Sequence, residues 1–175
     1  MTDLVIRVQL PELLDARWRL STYCKDIAWS LLDNVNIRID ELDIETIYGD
    51  SMMIYYNLYA DTSERRALKA GVGGDGTGGP QTVYLILPTF FNHKNPFPLC
   101  AIHKQKIRMS MSFNPPSAFS DTTDVISIPH IDVIMTVADL TLQERQMLIS
   151  KDIERVFTLA IRQPCLLYTS PSPRD

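Results

Sequence analysis

Apolar and polar residues alternate along several short runs of this chain. Leu4, Ile6, Val8 and Leu10 alternate with Val5, Arg7 and Gln9, the period-two pattern of a half-buried strand. Pro11 closes that run, because proline has no amide to give to a ladder. Val35, Ile37 and Ile39 alternate in the same way with Asn36, Arg38 and Asp40. Leu42 and Ile44 resume the pattern beyond Asp40-Glu41, which predicts a hairpin turning at those two residues. Val83–Leu87 and Leu99–Met109 are also strand-patterned. Val125–Ile128 and Ile131–Val137 are the last such runs, the latter with Val133, Met135 and Val137 on one face. Two stretches stay open between readings. Trp18 to Leu32 fits a helix face or a buried turn and strand, through Ile27, Leu31 and Leu32. Met52–Tyr59 fits a strand or a short amphipathic helix.

The period changes after Asp139. Thr141 and Glu144 have the spacing of a capping box, in which a hydroxyl and a carboxylate satisfy free amides at a helix start. Ile149, Ile153, Val156, Phe157 and Ala160 then recur at helical spacing, with Lys151, Asp152, Glu154 and Arg155 mostly opposite, until Pro164 ends the helix. The chain thus reads as a run of strands followed by one helix. Six of the seven glycines fall between residues 70 and 80. A phosphate-cradling loop would need a Gly-Lys-Ser/Thr ending and a following helix. Neither is present, so the segment reads as a flexible surface loop within a long connection, Ala60–Thr82.

Composition narrows the function classes. The 175 residues are 45% hydrophobic and 22% charged, ordinary values for one globular domain. A net charge of −4 gives nucleic acid no general electrostatic attraction. No apolar run approaches the roughly 20 residues that span a bilayer, and the N-terminus lacks the pattern of a secretory signal. Cys24, Cys100 and Cys165 are odd in number and far apart. That argues against a disulfide framework and for Cys24 and Cys100 as small buried apolar residues.

Candidate chemistry is sparse. His93, His103 and His130 are dispersed, with no Cys-x-x-Cys or His-x-x-x-His to build a metal site, so neither metal nor cofactor is expected. Ser30, Ser51, Ser110 and Ser127 lack a nucleophile-elbow context. Asp40, Glu41, Asp43 and Glu45 form an acidic cluster. It lacks the glycine and terminal glutamate of an EF-hand and reads as a solvated hairpin edge. Lys104, Lys106 and Arg108 alternate as a basic stripe, read as the wet face of a sheet.

The richest segment is Val83 to Met109. Two strand-patterned runs flank Pro88, Phe90, Phe91, Asn92, Asn95, Pro96, Pro98 and Leu99. This order of residues resembles the major capsid proteins of large icosahedral DNA viruses of the iridovirus and phycodnavirus type. In that family a strand ends in a Leu-Pro-Phe-aromatic-Phe turn, and the next opens with Pro-Leu. Three further blocks resemble the family in order. They are Asp3-Leu4-Val5 through Pro11, Ile37 through Gly49-Asp50, and Asp132 through Gln163, with Glu144 and Arg145 at its Glu-Arg positions. The sequence departs where Asp40-Glu41 replaces a Gly-Gly turn, where Ser51 replaces a tryptophan, and at Thr89 and Gln105.

The resemblance implies a viral jelly-roll β-sandwich, the incomplete first jelly roll of a double jelly-roll protein, followed by a linker helix. Residues 1–140 would be that domain, 141–163 the helix and 164–175 a disordered tail. Cys165 to Asp175 resembles translated sequencing-adaptor DNA, and earlier strands and a second jelly roll are expected outside the sequence. The family is non-catalytic, and the resemblance implies homotrimers that tile a capsid. It further implies minor capsid proteins as partners, contact with an internal viral membrane, no specific nucleic acid, and a virion location after assembly in the host cytoplasm. Phe90, Phe91, Asn92 and Pro96 would fix a turn. The rival reading is a carbohydrate-binding β-sandwich, which would show tryptophans or tyrosines clustered on one sheet face. A cupin-type enzyme would need converging histidines.

Overall fold

A computed structural model describes residues 3–13, 21–60, 62–73, 78–91, 96–102, 104–122, 126–128, 130–151 and 154. Six strands form two antiparallel three-stranded sheets. In the first, β1 (Asp3–Leu10) lies between β4 (Gln81–Ile86) and β6 (His130–Thr136). In the second, β2 (Leu32–Ile39) lies between β3 (Leu42–Tyr48) and β5 (Ile107–Phe113). The sheets bury their facing sides against each other, which gives the incomplete jelly-roll sandwich that the family resemblance implies.

Register explains the burial. On β1 the side chains of Leu4, Ile6, Val8 and Leu10 are buried, and Ile6 stands opposite Leu85 on β4 and Val133 on β6. Val8 stands opposite Val83 and Ile131. In the second sheet, Val35 pairs with Ile47 and Met111, and Ile37 with Glu45 and Met109. Directly opposed residues share a face of the sheet, so these sets line the inside of the sandwich. On the outside of the first sheet, Arg7 pairs with Asp132, which also accepts from His130 at 2.7 Å. The hydrogen bond from Arg7 holds the Asp132 carboxyl below its ordinary range.

The hairpin turns at Asp40-Glu41, between Ile39 and Leu42, as the pattern predicts. Without a glycine there, Asp40 itself adopts φ 52°, a region that aspartate enters more readily than most residues. Its amide donates to the Lys106 carbonyl at 2.8 Å, and its carboxylate accepts from the Lys106 amide at 2.9 Å. The turn is thereby tied to the start of β5.

Helices are more numerous than the all-β pattern suggests. Of the open stretches, Trp18 to Leu32 contains α1 (Ile27–Leu31), and Met52–Tyr59 belongs to α2 (Gly49–Tyr59). Met52 and Tyr56, four residues apart, turn one face of α2 inward. The connection Ala60–Thr82, expected as a loop, contains α3 (Thr62–Gly71). The last helix, α4 (Leu142–Ser150), starts at the expected capping box, with Glu144 N donating to Thr141 Oγ1 and Thr141 N to Glu144 Oε2. It ends earlier than the pattern suggests, because Lys151 is already extended at φ −110°, ψ 140°. Ile153, Val156, Phe157, Ala160 and the segment 164–175 lie outside the described residues.

Two strand expectations fail. Leu99–Ile102 is a 3-10 turn, and its strand begins only at Ile107. Pro96 and Pro98 bring no amides to a ladder, and the chain curls instead, with Ala101 N bonding to Pro98 O at 2.9 Å. Ile126–Ile128 is not a strand; Ile126 and Ile128 pack as half-buried residues against the core. Cys24 and Cys100 are half-buried rather than fully buried.

Candidate functional site

The turn after β4 is the most densely organised place outside the ladders. Leu87 extends the first sheet by donating to the Leu4 carbonyl at 3.0 Å. The chain then bends sharply, with Thr89 N bonding to Leu87 O at 2.8 Å and Thr89 Oγ1 donating to Phe91 O at 2.7 Å. This bend drives two consecutive phenylalanines inward. Phe90 and Phe91 meet edge to face at 5.0 Å, and Phe97 closes on Phe90 at 5.3 Å, also edge to face. Aromatic rings prefer such geometry because the positive edge of one meets the negative face of the other. Pro88, Pro98 and Leu99 are half-buried around this trio. Asn92 and Asn95 lie outside the described residues.

The residue that fastens the turn was hidden in the acidic cluster. Glu45 is 6% exposed, on the inner side of β3, and its carboxylate accepts from Phe90 N at 2.9 Å. Burial pushes this carboxyl up to about 7, against the lowering effect of the Phe90 amide. The solvated-edge reading therefore fails at this position. The available signal was parity: Glu45 shares its side of β3 with Ile47. The other acids disperse. Asp43 pairs with Arg38 at 3.0 Å, Glu41 lies near Arg38 and Arg108, and Asp40 shapes the turn. No cluster of three metal-ligating side chains exists among the described residues.

Gly49 begins α2 where the backbone of β3 passes close to α1. A Cβ at that position would stand 2.2 Å from the Leu32 carbonyl oxygen and 2.4 Å from that of Trp29. Only glycine fits. Glu144 serves the cap of α4, and Arg145 Nε donates to Leu140 O at 3.0 Å, which bends the approach to that helix. The basic stripe does not form a strand face: Lys104 and Lys106 precede β5, and only Arg108 lies on it. His103 and His93 are outside the described residues.

Two open clefts flank Trp29 and Met53. One, of about 290 Å³, is bordered by Asp26, Tyr56 and Lys69; the other, of about 390 Å³, by Asp33, Asp50 and Asn114. Trp29 lies against Tyr56 at 5.6 Å, and Tyr56 is anchored by its hydroxyl to Ile86 O. Among the described residues the exposed tyrosines are Tyr55 and Tyr59 on α2 and Tyr84 on a strand. They do not make the flat sheet-face platform that a sugar-binding sandwich would present.

Comparison with known proteins adds a family. Residues 1–147 match the family model described as the major capsid protein N-terminus. Among solved structures, the fold resembles PBCV-1 VP54 as fitted into a reconstruction of the virophage Sputnik, with a TM-score of 0.61 at 17% identity over 86% of this chain and 38% of that one. It also resembles a chain of the PBCV-1 virus capsid, with a TM-score of 0.65 at 17% identity over 90% of this chain and 40% of that one. The chain thus spans about two fifths of the length of these structures. No curated protein matches.

Proposed function

The chain belongs to the major capsid protein family, and from that membership we propose that it is a shell subunit acting as a homotrimer of pseudo-hexagonal outline that tiles the facets of an icosahedral virion. On this reading it is a structural protein of the capsid. The observation that carries the reading is the match over residues 1–147, supported by the sandwich and its aromatic turn. Pseudo-hexagonal outline requires two jelly rolls per chain, so residues 1–140 are one half of each lobe pair and 141–163 lead toward the second. On this reading Pro88, Phe90, Phe91, Asn92, Asn95, Pro98, Leu99, Gly49, Glu144 and Arg145 hold architecture rather than bind a ligand.

Finer partners follow from the same reading. Minor capsid proteins would seat at the edges of the trimers, and an internal viral membrane would lie beneath them, with assembly in the host cytoplasm. Sedimentation of the full-length product tests the proposal. A trimer is expected; a monomer at micromolar concentration and near-neutral pH overturns it.

A further inference from the structure

Glu45 occupies an unusual place for a carboxylate. It projects from β3, in the second sheet, and its hydrogen-bonded partner Phe90 belongs to the turn that follows β4, in the first. A single 2.9 Å contact therefore spans the sandwich at one end. An ionised carboxylate has about four acceptor sites. Here it is 6% exposed and receives one amide, beside Phe90. Asp43, two residues earlier, is turned to the other face of β3 by the bulge beside Ile37 and Arg38, where it is largely exposed and engaged by Arg38. Pro88 to Phe91 bring no charged side chain, Ile37 and Met109 are its neighbours across β2 and β5, and no cation stands within 4 Å among the described residues. His93, Lys94 and His103 neighbour the turn in sequence, outside the described residues.

We propose that Glu45 is a proton-operated latch between the two sheets: neutral, it lets the aromatic turn close against β3; ionised, it draws water to that end of the sandwich and loosens it. Burial of the side chain supports the same direction, because it raises the carboxyl from 4.5 to about 7. A group whose folded value is raised makes the fold most stable below its unfolded value. That contribution declines as pH rises from about 4.5 to about 7 and is flat beyond. Mild acid therefore tightens this part of the subunit, and neutral or alkaline solution relaxes it.

The test is thermal unfolding of the full chain at pH 5.0 and 7.5, in wild type, Glu45→Gln and His130→Asn. Wild type is expected to lose roughly 5–10 °C of midpoint between the two pH values, and Glu45→Gln to lose most of that difference while keeping an acceptor for Phe90. His130→Asn keeps the wild-type slope. Amide exchange at Phe90, corrected for intrinsic rate, gives the local readout and slows at pH 5.0 in wild type only. A wild-type midpoint that is flat across the interval, a Glu45→Gln variant with the full slope, or a slope abolished by His130→Asn each overturns the latch. These outcomes are independent of the oligomer found by sedimentation.

Discussion

At Gly49 the absence of a side chain decides whether two pieces of backbone can lie together. The Leu32 and Trp29 carbonyl oxygens occupy the space of its missing Cβ, and neither is the flexible end of a side chain that could swing away. Gly49→Ala therefore forces α1 and α2 apart. Overpacking against backbone costs about 3 kcal/mol, and chemical denaturation should show a loss of at least that order. A change under about 0.5 kcal/mol would mean that the close approach is not rigid. Glycine at this position was legible from the family resemblance, but its reason was not, because the approach joins residues seventeen apart in the chain. Glu45 makes the complementary point: it sits in an acidic run between Ile44 and Thr46, and only its shared parity with Ile47 marks it as inward-facing.

Elements with a strong local pattern were readable, and those set by distant contacts were not. The alternation of β1 and β2 carried its own evidence, as did the cap of α4. On β3 it did not: Leu42, expected to continue the pattern, is exposed, and the buried pair is Glu45 and Ile47. In α4 the Thr141 and Glu144 side chains close the first turn, while Leu142, Met147 and Ile149 remain exposed. Little packing backs up this cap, so Thr141→Ala should cost the helix about 1 kcal/mol. Far-ultraviolet circular dichroism should show a small helical loss with the sandwich transition unmoved; a fall in the main midpoint instead would show that α4 is part of the core. The segment Thr62–Gly71 was legible in a different way. Glu64, Arg65, Ala67, Leu68 and Lys69 are good helix formers ending at a glycine, but the glycines that follow give a stronger loop signal over the same connection. Leu99–Ile102 fits a strand by its apolar run alone, whereas the prolines before it decide otherwise.

Across the whole molecule, the inner face of the first sheet is unevenly covered. Ile6 and Val8 are fully buried, yet Val133 and Ile131 directly opposite them on β6 are 46% and 36% exposed. Met135, opposite Leu4, is 47% exposed. The core side of the sheet thus runs into solvent along one edge. A strand edge with an apolar face is a template for association, so the double substitution Val133→Lys with Met135→Lys should raise the concentration at which the chain begins to scatter light. Because both side chains are already accessible, the unfolding midpoint should move little. A large fall in midpoint with no gain in solubility would show that these residues are covered in solution. The strands were readable from alternation and the two-sheet architecture from the family resemblance. The order of strands was not, since pairing between distant runs leaves no trace in local periodicity.

That order has a consequence in time. β1 is made long before either of its neighbours: Ile6 pairs with Leu85, and with Val133, which is 127 residues further along. At about 5–20 residues per second of synthesis, β1 leaves the ribosome roughly 6–25 seconds before its last partner exists. The β2–β3 hairpin, by contrast, can close in about 1–10 microseconds once both strands have emerged. The second sheet therefore starts from a closed hairpin, with only β5 to add, while the centre of the first waits unpaired. For a chain that serves as the proposed shell subunit, that interval is when nascent copies are most exposed to one another.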